Sequence, residues 1–242
     1  MNNTINELCE RKSVRAFTDQ KIEREKKDAI LLAAANAPTA GNQQLYTIID
    51  ITDQKIKDAL VKTCDDQPFI ADAPMVLIFC ADCKKWYDAY LSVGAEPRLP
   101  DIGDLMLAIS DTNIAAQNAV TAAQSLGIGS CYIGDIMENC EAQRELLGLP
   151  RYVFPAAMIV FGYPTEQQIE RKKPERAKML HIVHENRYRE MDAAELQEML
   201  SPRCGMRPYN DWIRAFCERK YNSDFSREMS RSCKKYLIDF NQ

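Results

Sequence analysis

Mixed helix and strand, assembled around one long uncharged helix, is the fold class that the order of residues predicts. Two observations carry it. Residues 104–125 (DLMLAISDTNIAAQNAVTAAQS) run without Gly or Pro through strong helix formers, and nothing between Asp111 and Asp135 is charged. Short apolar runs, LYTIIDI, PMVLIFC, CYI and FPAAMIVF, read as buried strands and alternate with helical stretches. At ~1.5 Å per residue the long helix spans ~33 Å. A surface helix of that length normally carries charge on its wet face, so this one is expected to be covered nearly all round, within a core or between subunits. Its Asn, Gln and Thr residues break any run of ~18 apolar residues, so it is no membrane span. The glycines at 127, 129 and 134 follow a helix and enter a strand, the reverse of a dinucleotide fingerprint.

The elements follow in order. Residues 4–10 predict a short helix ending in Arg11-Lys12-Ser13-Val14-Arg15. If extended, this segment sets Arg11, Ser13 and Arg15 on one side, two guanidiniums flanking a hydroxyl, which suits a phosphate or a solvated basic turn alike. A helix over 21–36 stops before APTAGNQQ at 37–44, a loop of small and amide residues able to approach a ligand or simply connect. A strand over 45–51 precedes a helix capped by Asp53, and a second strand covers 74–80. Cys80 and Cys83 form a nominal C-x-x-C without the second ligand pair of a zinc site, and no metal is expected. Residues 86–100 read as an irregular, flexible excursion. Beyond the long helix come a strand at 131–133, a helix at 139–147 and a buried strand at 154–161.

The remainder is polar and helical. A second basic cluster, Arg171-Lys172-Lys173-Pro174-Glu175-Arg176, precedes the only two histidines, His181 and His184, whose spacing is not that of a helical metal pair. No G-x-S-x-G elbow is present, which argues against hydrolysis. Helices are expected at 193–200, 210–220 and 223–235, interrupted by a basic, mobile loop near 201–208. Residues 236–240 alternate like a terminal strand. The expected organisation is therefore a core over 1–190 and a helical extension over 191–242.

With 46% hydrophobic and 27% charged residues the chain is an ordinary globular one. Its net charge of −4 gives no footprint for nucleic acid. Nine irregularly spaced cysteines and an N-terminus without an apolar leader segment point to the reducing cytoplasm.

Together RKSVRAF (11–17), APTAGNQQ (37–44), DTNIAAQNAVTAAQSLGIGSCYIG (111–134), FGYP (161–164), KKPER (172–176) and HENRY (184–188) resemble the FMN-dependent nitroreductase family. The closer likeness is to its oxygen-insensitive NADPH nitroreductase and NADPH–flavin oxidoreductase branch. The resemblance implies an α+β homodimer with a mixed, mostly antiparallel sheet flanked by helices, the long helix lying in the interface. It implies two FMN sites there. Arg11 and Ser13 would hold the FMN phosphate with Lys173 and Arg176, Lys12 would also belong to the cofactor-binding set, and Arg15 would sit at the pyrimidine end of the ring. Thr39, Ala40, Gly41, Asn42 and Gln44 would reach the flavin from the other subunit, while Gln67, Tyr132, Ile133 and Gly134 line the ring. The branch usually shows K-P-R where Glu175 here separates Pro174 from Arg176, so either Lys172 or Lys173 takes the lysine's place. Arg203 and Arg207 would meet the 2′-phosphate of NADPH.

The activity implied is two-electron, ping-pong reduction of nitro compounds, quinones or related small acceptors by NAD(P)H, with NADPH favoured. The flavin carries the electrons and Arg15 stabilises developing negative charge. Alternatives are a flavin reductase that releases reduced FMN to a partner, a non-catalytic flavin store or sensor, and a phosphate-ligand binder without flavin.

Overall fold

The computed structural model describes residues 2–241. At its centre lies a sheet of four strands, β1 (Tyr46–Ile51), β2 (Met75–Asp82), β3 (Gly129–Ile133) and β4 (Val153–Gly162), in the order β1-β2-β4-β3. All three pairings are antiparallel, and an isolated parallel bridge between Ser13 and Ser130 supplies the mixed character. The continuous apolar run of β2 has its reason in the layers. Val76, Ile78 and Cys80 enter one core, Met75, Leu77 and Phe79 the other, and no position on the strand is exposed. Pro155 sits in β4, where a proline would cost a ladder bond. It is tolerated because the register slips there: Phe79 pairs with Ala157 and Cys80 with Pro155, leaving Ala156 as the extra residue of a bulge.

The described residues hold eleven α-helices. In the first part of the chain they are α1 (Asn3–Glu10), α2 (Arg24–Ala35), α3 (Gln54–Thr63), α4 (Phe69–Asp72), α5 (Lys84–Ser92), α6 (Ile102–Ser125), α7 (Cys140–Leu147) and α8 (Glu166–Glu170). The long helix α6 starts two residues earlier than the apolar pattern indicates, because Asp101 and Asp104 form a reciprocal capping box. It packs with α2 on one sheet face through Ile30, Ala34, Ala116, Ala119, Val120 and Ala123. Small residues at these positions let the helices approach closely. The opposite face is closed by α3, α4 and the turn after β3, through Leu60, Ile70 and Ile136.

Two expectations are corrected. The stretch taken as irregular begins with a helix, α5. Asp82 accepts the N–H groups of Lys84 (3.0 Å) and Lys85 (3.2 Å), a start signal in front of three aromatic residues rather than an aliphatic stripe. The terminal strand is absent. There α11 (Asp224–Leu237) passes into a 3-10 turn, Ile238–Phe240. Tyr236 and Phe240 are buried at 0% and 1% exposure while Ile238 is 59% exposed, so the true period is helical and not two. Both rings meet the core edge-on, Tyr236 against Phe154 (5.1 Å) and Phe240 against Tyr152 (5.6 Å).

The chain forms two compact units. One comprises residues up to Arg171 and those from Glu228 onward, and the other is Lys172–Arg227. The boundary expected near 190 falls inside the second unit, which holds α9 (Ala193–Leu200), a 3-10 turn at Ser201–Arg203 and α10 (Tyr209–Lys220). No helix among the described residues is long and apolar enough to cross a membrane.

Candidate functional site

The basic segment after α1 is an extended strap laid across the ends of β3 and β4. Val14 donates its N–H to Ser130 O (2.9 Å), Thr18 donates to Tyr163 O (2.8 Å), and Thr165 donates to Ala16 O (3.2 Å). Two glycines permit the approach. A Cβ on Gly129 would stand 2.7 Å from Val14 Cγ2, and one on Gly162 would stand 2.6 Å from the Phe17 ring. Val14 is buried. Alternation therefore sends Lys12 to the same side as Val14, and Arg11, Ser13 and Arg15 to the other.

The two sides do different things. On the first, the Lys12 ammonium donates to Ile169 O (2.5 Å) and to Arg171 O, satisfying carbonyls at the C-terminal end of α8. On the second, Arg15, Ser13 and Arg11 gather around the buried Cys131 thiol. Burial pushes that thiol's pKa up, and these three pull it back. Arg11 Nη1 is buried and makes no hydrogen bond. Arg171, from the second basic cluster, donates from its Nη2 to Ser13 O, and its own Nε is buried without a partner. Buried guanidinium nitrogens without acceptors are expensive. One of them on the segment that carries Ser13 and one on the arginine bound to it make a place that an anion would complete. Lys173 and Arg176, expected here as well, belong to the second unit, where Lys173 is half-buried and Arg176 exposed.

The amide-rich loop is held from behind by a residue that sequence reasoning passed over. Asp111, on α6 and only 3% exposed, accepts the N–H of Ala40 (2.9 Å) and of Leu45 (3.3 Å). Thr39 Oγ1 accepts the Gln44 N–H (3.1 Å), Gln44 Nε2 donates to Ala35 O (2.9 Å), and Trp86 Nε1 donates to Gln43 O (2.7 Å). Between these ties the backbone is left-handed at Gly41 (φ 56°), Asn42 (φ 56°) and Gln44 (φ 49°). Gly41 and Asn42 stand exposed at the tip. One signal for Asp111 was present: a carboxylate in the apolar middle of a helix must find donors if it is buried.

A third part lies at the end of β3. Gln67 Nε2 donates to Cys64 O (2.9 Å) and to Asp135 Oδ2 (3.0 Å). With both acceptors on its nitrogen, the amide presents Oε1 as an acceptor. Asp135 follows Gly134 directly, so this bond ties Gln67 to the Tyr132–Ile133–Gly134 backbone. A Cβ on Gly134 would meet nothing nearer than Met137 Cε at 3.9 Å, so the backbone there is open to a flat ligand. Tyr132 donates its hydroxyl to Gln117 Oε1 (3.3 Å), and burial pushes its phenol up to about 12 with Arg11 acting in the opposite sense.

Within the second unit, Arg203 and Arg207 line one cavity with Trp212, Phe216 and Arg219. The two histidines also lie in this unit. His181 is buried, 4.0 Å from Glu198, and His184 Nδ1 accepts the Arg189 N–H (3.1 Å).

Comparison with known proteins identifies the family. The family model described as the nitroreductase family matches residues 8–163. The chain is 36% identical over 192 residues to an oxygen-insensitive NADPH nitroreductase of Salmonella typhimurium, covering 79% of this chain and 77% of that protein. It is 30% identical over 247 residues to the FMN reductase [NAD(P)H] of Bacillus subtilis, covering 98% and 91%. Among solved structures, B. megaterium NfrA2 superposes with a TM-score of 0.84 at 28% identity over the whole of both chains. The NADPH:FMN oxidoreductase of Vibrio harveyi complexed with NAD+ superposes with a TM-score of 0.82 at 25% identity over 98% of each. Strap, anchored loop and strand end thus lie on a shared fold, and the chain belongs to the nitroreductase family.

Proposed function

We propose that this chain is an FMN-dependent NAD(P)H oxidoreductase that reduces nitro compounds, quinones or related small acceptors. The observation that carries the reading is the strap, where Arg11 and Arg171 hold buried nitrogens without acceptors around Ser13. That arrangement fits a phosphate monoester, and names among the relatives supply FMN as its bearer. Arg11 and Ser13 would hold the phosphate. Arg171 orients Ser13 by binding its carbonyl. Lys12 is engaged with α8 and serves to fix the strap. Arg15 is exposed and available to the pyrimidine edge of the ring, where a fixed positive charge favours the anionic reduced form. Gln67 would offer its oxygen to a ring N–H, beside the open backbone of Tyr132, Ile133 and Gly134. When bound, FMN supplies two-electron hydride chemistry; the protein's part is orientation and charge.

A homodimer is part of the proposal. The outward face of α6 carries Met106, Leu107 and Ile114, each at least 40% exposed, and no charged side chain lies among them. A second copy seated there would cover an apolar patch. Thr39, Ala40, Gly41, Asn42 and Gln44 hang from Asp111 on that same stretch of α6, so they would face the partner's flavin. We place the enzyme in the cytoplasm, consistent with nine irregularly spaced cysteines.

The test is the visible spectrum of purified protein under anaerobic titration with NADPH and then NADH. Bleaching of a bound flavin, faster with NADPH, is expected. A flavin that neither donor bleaches would leave a store or sensor, and protein that takes up no FMN would sink the assignment. Relatives called FMN reductases favour a second reading, release of reduced FMN to a partner. Saturable turnover of free FMN with weak retention of bound flavin would select it.

A further inference from the structure

Between α3 and α4 the chain passes through two consecutive left-handed residues that are not glycine, Asp65 (φ 59°) and Asp66 (φ 49°), and arrives at Gln67. Such backbone is costly and persists only where its surroundings fix it from several sides. Here the fixing comes from the segment after β3. At the entry to the turn, Asn139 Nδ2 donates to Thr63 O (2.9 Å), and the buried Gln143 donates from Nε2 to Thr63 Oγ1 (3.0 Å). At its exit, Gln67 Nε2 donates to Cys64 O and to Asp135 Oδ2. Asn139 is itself left-handed (φ 52°) and stands at the N-terminus of α7, yet its side chain caps nothing there. An asparagine in that position ordinarily accepts an N–H of the first helical turn. That task has passed to α11. Glu228 Oε1 accepts the Asn139 N–H (3.1 Å), and the buried Ser232 Oγ accepts the Cys140 N–H (2.9 Å) while donating to Met137 O (2.7 Å). With α7 capped from α11, the Asn139 side chain is free to hold the turn.

We propose that Asn139 is a positioning residue for the flavin. By pinning Thr63 O it holds the strained 64–67 turn in the one conformation from which Gln67 presents Oε1 to the ring N–H. The inference rests on the FMN-dependent reading above and adds to it the residue that aims Gln67.

Asn139→Gly tests it, because glycine keeps the left-handed backbone and removes only the side-chain tie. Asn139→Asp keeps the size and removes the donor. Flavin fluorescence would follow binding of FMN, riboflavin and N3-methyl-FMN to the native chain and to both variants. The native chain should prefer FMN to riboflavin, which lacks the phosphate, and to N3-methyl-FMN, which lacks the ring N–H. Both variants should bind FMN about three- to tenfold more weakly, yet bind N3-methyl-FMN with nearly native affinity. The preference for FMN over riboflavin should not change, since the strap is untouched. Added to Gln67→Ala, Asn139→Gly should weaken FMN no further. Equal weakening of all three flavins would reduce Asn139 to a support of the fold and overturn the proposal. So would native FMN affinity in both variants, or a native chain that binds N3-methyl-FMN as tightly as FMN. A native chain that takes up none of the three flavins would overturn the FMN-dependent reading as well.

Discussion

Glu138 is a carboxylic acid placed where a carboxylate is unwelcome. It is 6% exposed, and its Oε1 has no hydrogen-bond partner. Burial first, then the charges of Asp135, Asp65 and Glu228, push its pKa up to about 7. The effect on stability follows from the sign of that shift. Below about pH 4.5 both the folded and unfolded chains hold the proton, and burial of the neutral acid costs little. Between there and pH 7 the unfolded chain releases its proton while the folded chain keeps it, so stability falls as pH rises. Glu138→Gln is neutral throughout and should raise Tm at pH 8 by a few degrees, at roughly 2–4 °C per kcal/mol for a chain of this size. At pH 5 the two proteins should melt much closer together. Thermal melts at both values decide it, and an equal gap at pH 5 and pH 8 would show that the substitution acts through packing instead.

Among the elements, the strap decides most. Its cationic face was legible because alternation alone places Arg11, Ser13 and Arg15 together. The same alternation puts Lys12 on the far side, and only the likeness to relatives brought it into the site. What alternation cannot reveal is the surface beneath. Gly129 and Gly162 are required by Val14 and Phe17, residues more than a hundred positions away, and a contact of that separation leaves no local pattern. Asp111 and Arg171 were hidden for the same reason: their partners are backbone groups of distant loops. Strands and aliphatic helices could be read because their burial period is written in consecutive residues. The helix α5, whose inner side is aromatic, and the tail, where YLIDF satisfies both a period of two and one of 3.6, could not. Gly129→Ala tests the strap directly. Its methyl would sit inside Val14, and overpacking of this kind costs about 1–3 kcal/mol unless the strap lifts. Lifting carries Arg11, Ser13 and Arg15 away together. FMN affinity, followed by flavin fluorescence, should drop at least tenfold, with partial recovery when Val14→Ala clears the two Cγ atoms. Native affinity in Gly129→Ala would mean that the strap does not hold the phosphate.

At the scale of the whole molecule the long helix reconciles two readings of its missing charge. One chain covers only its inner side: Ala115, Ala116, Ala119, Val120 and Ala123 are buried, while Met106 and Leu107 remain 50% and 52% exposed. The composition of α6 is therefore that of a helix with two apolar faces and cover on one. If a second copy covers the other face, folding of the site and assembly would be a single event, because the loop carried by Asp111 would then meet the flavin of the partner. Leu107→Asp places a charge at the centre of that face without touching the inner core. Sedimentation should then show a monomer, and the same preparation should lose FMN although its strap is intact. A monomer that binds FMN as tightly as the native protein would place the whole flavin site within one chain. A dimer that persists with Asp at this position would move the interface off α6, and with it the assignment of the 39–44 loop to the partner's flavin.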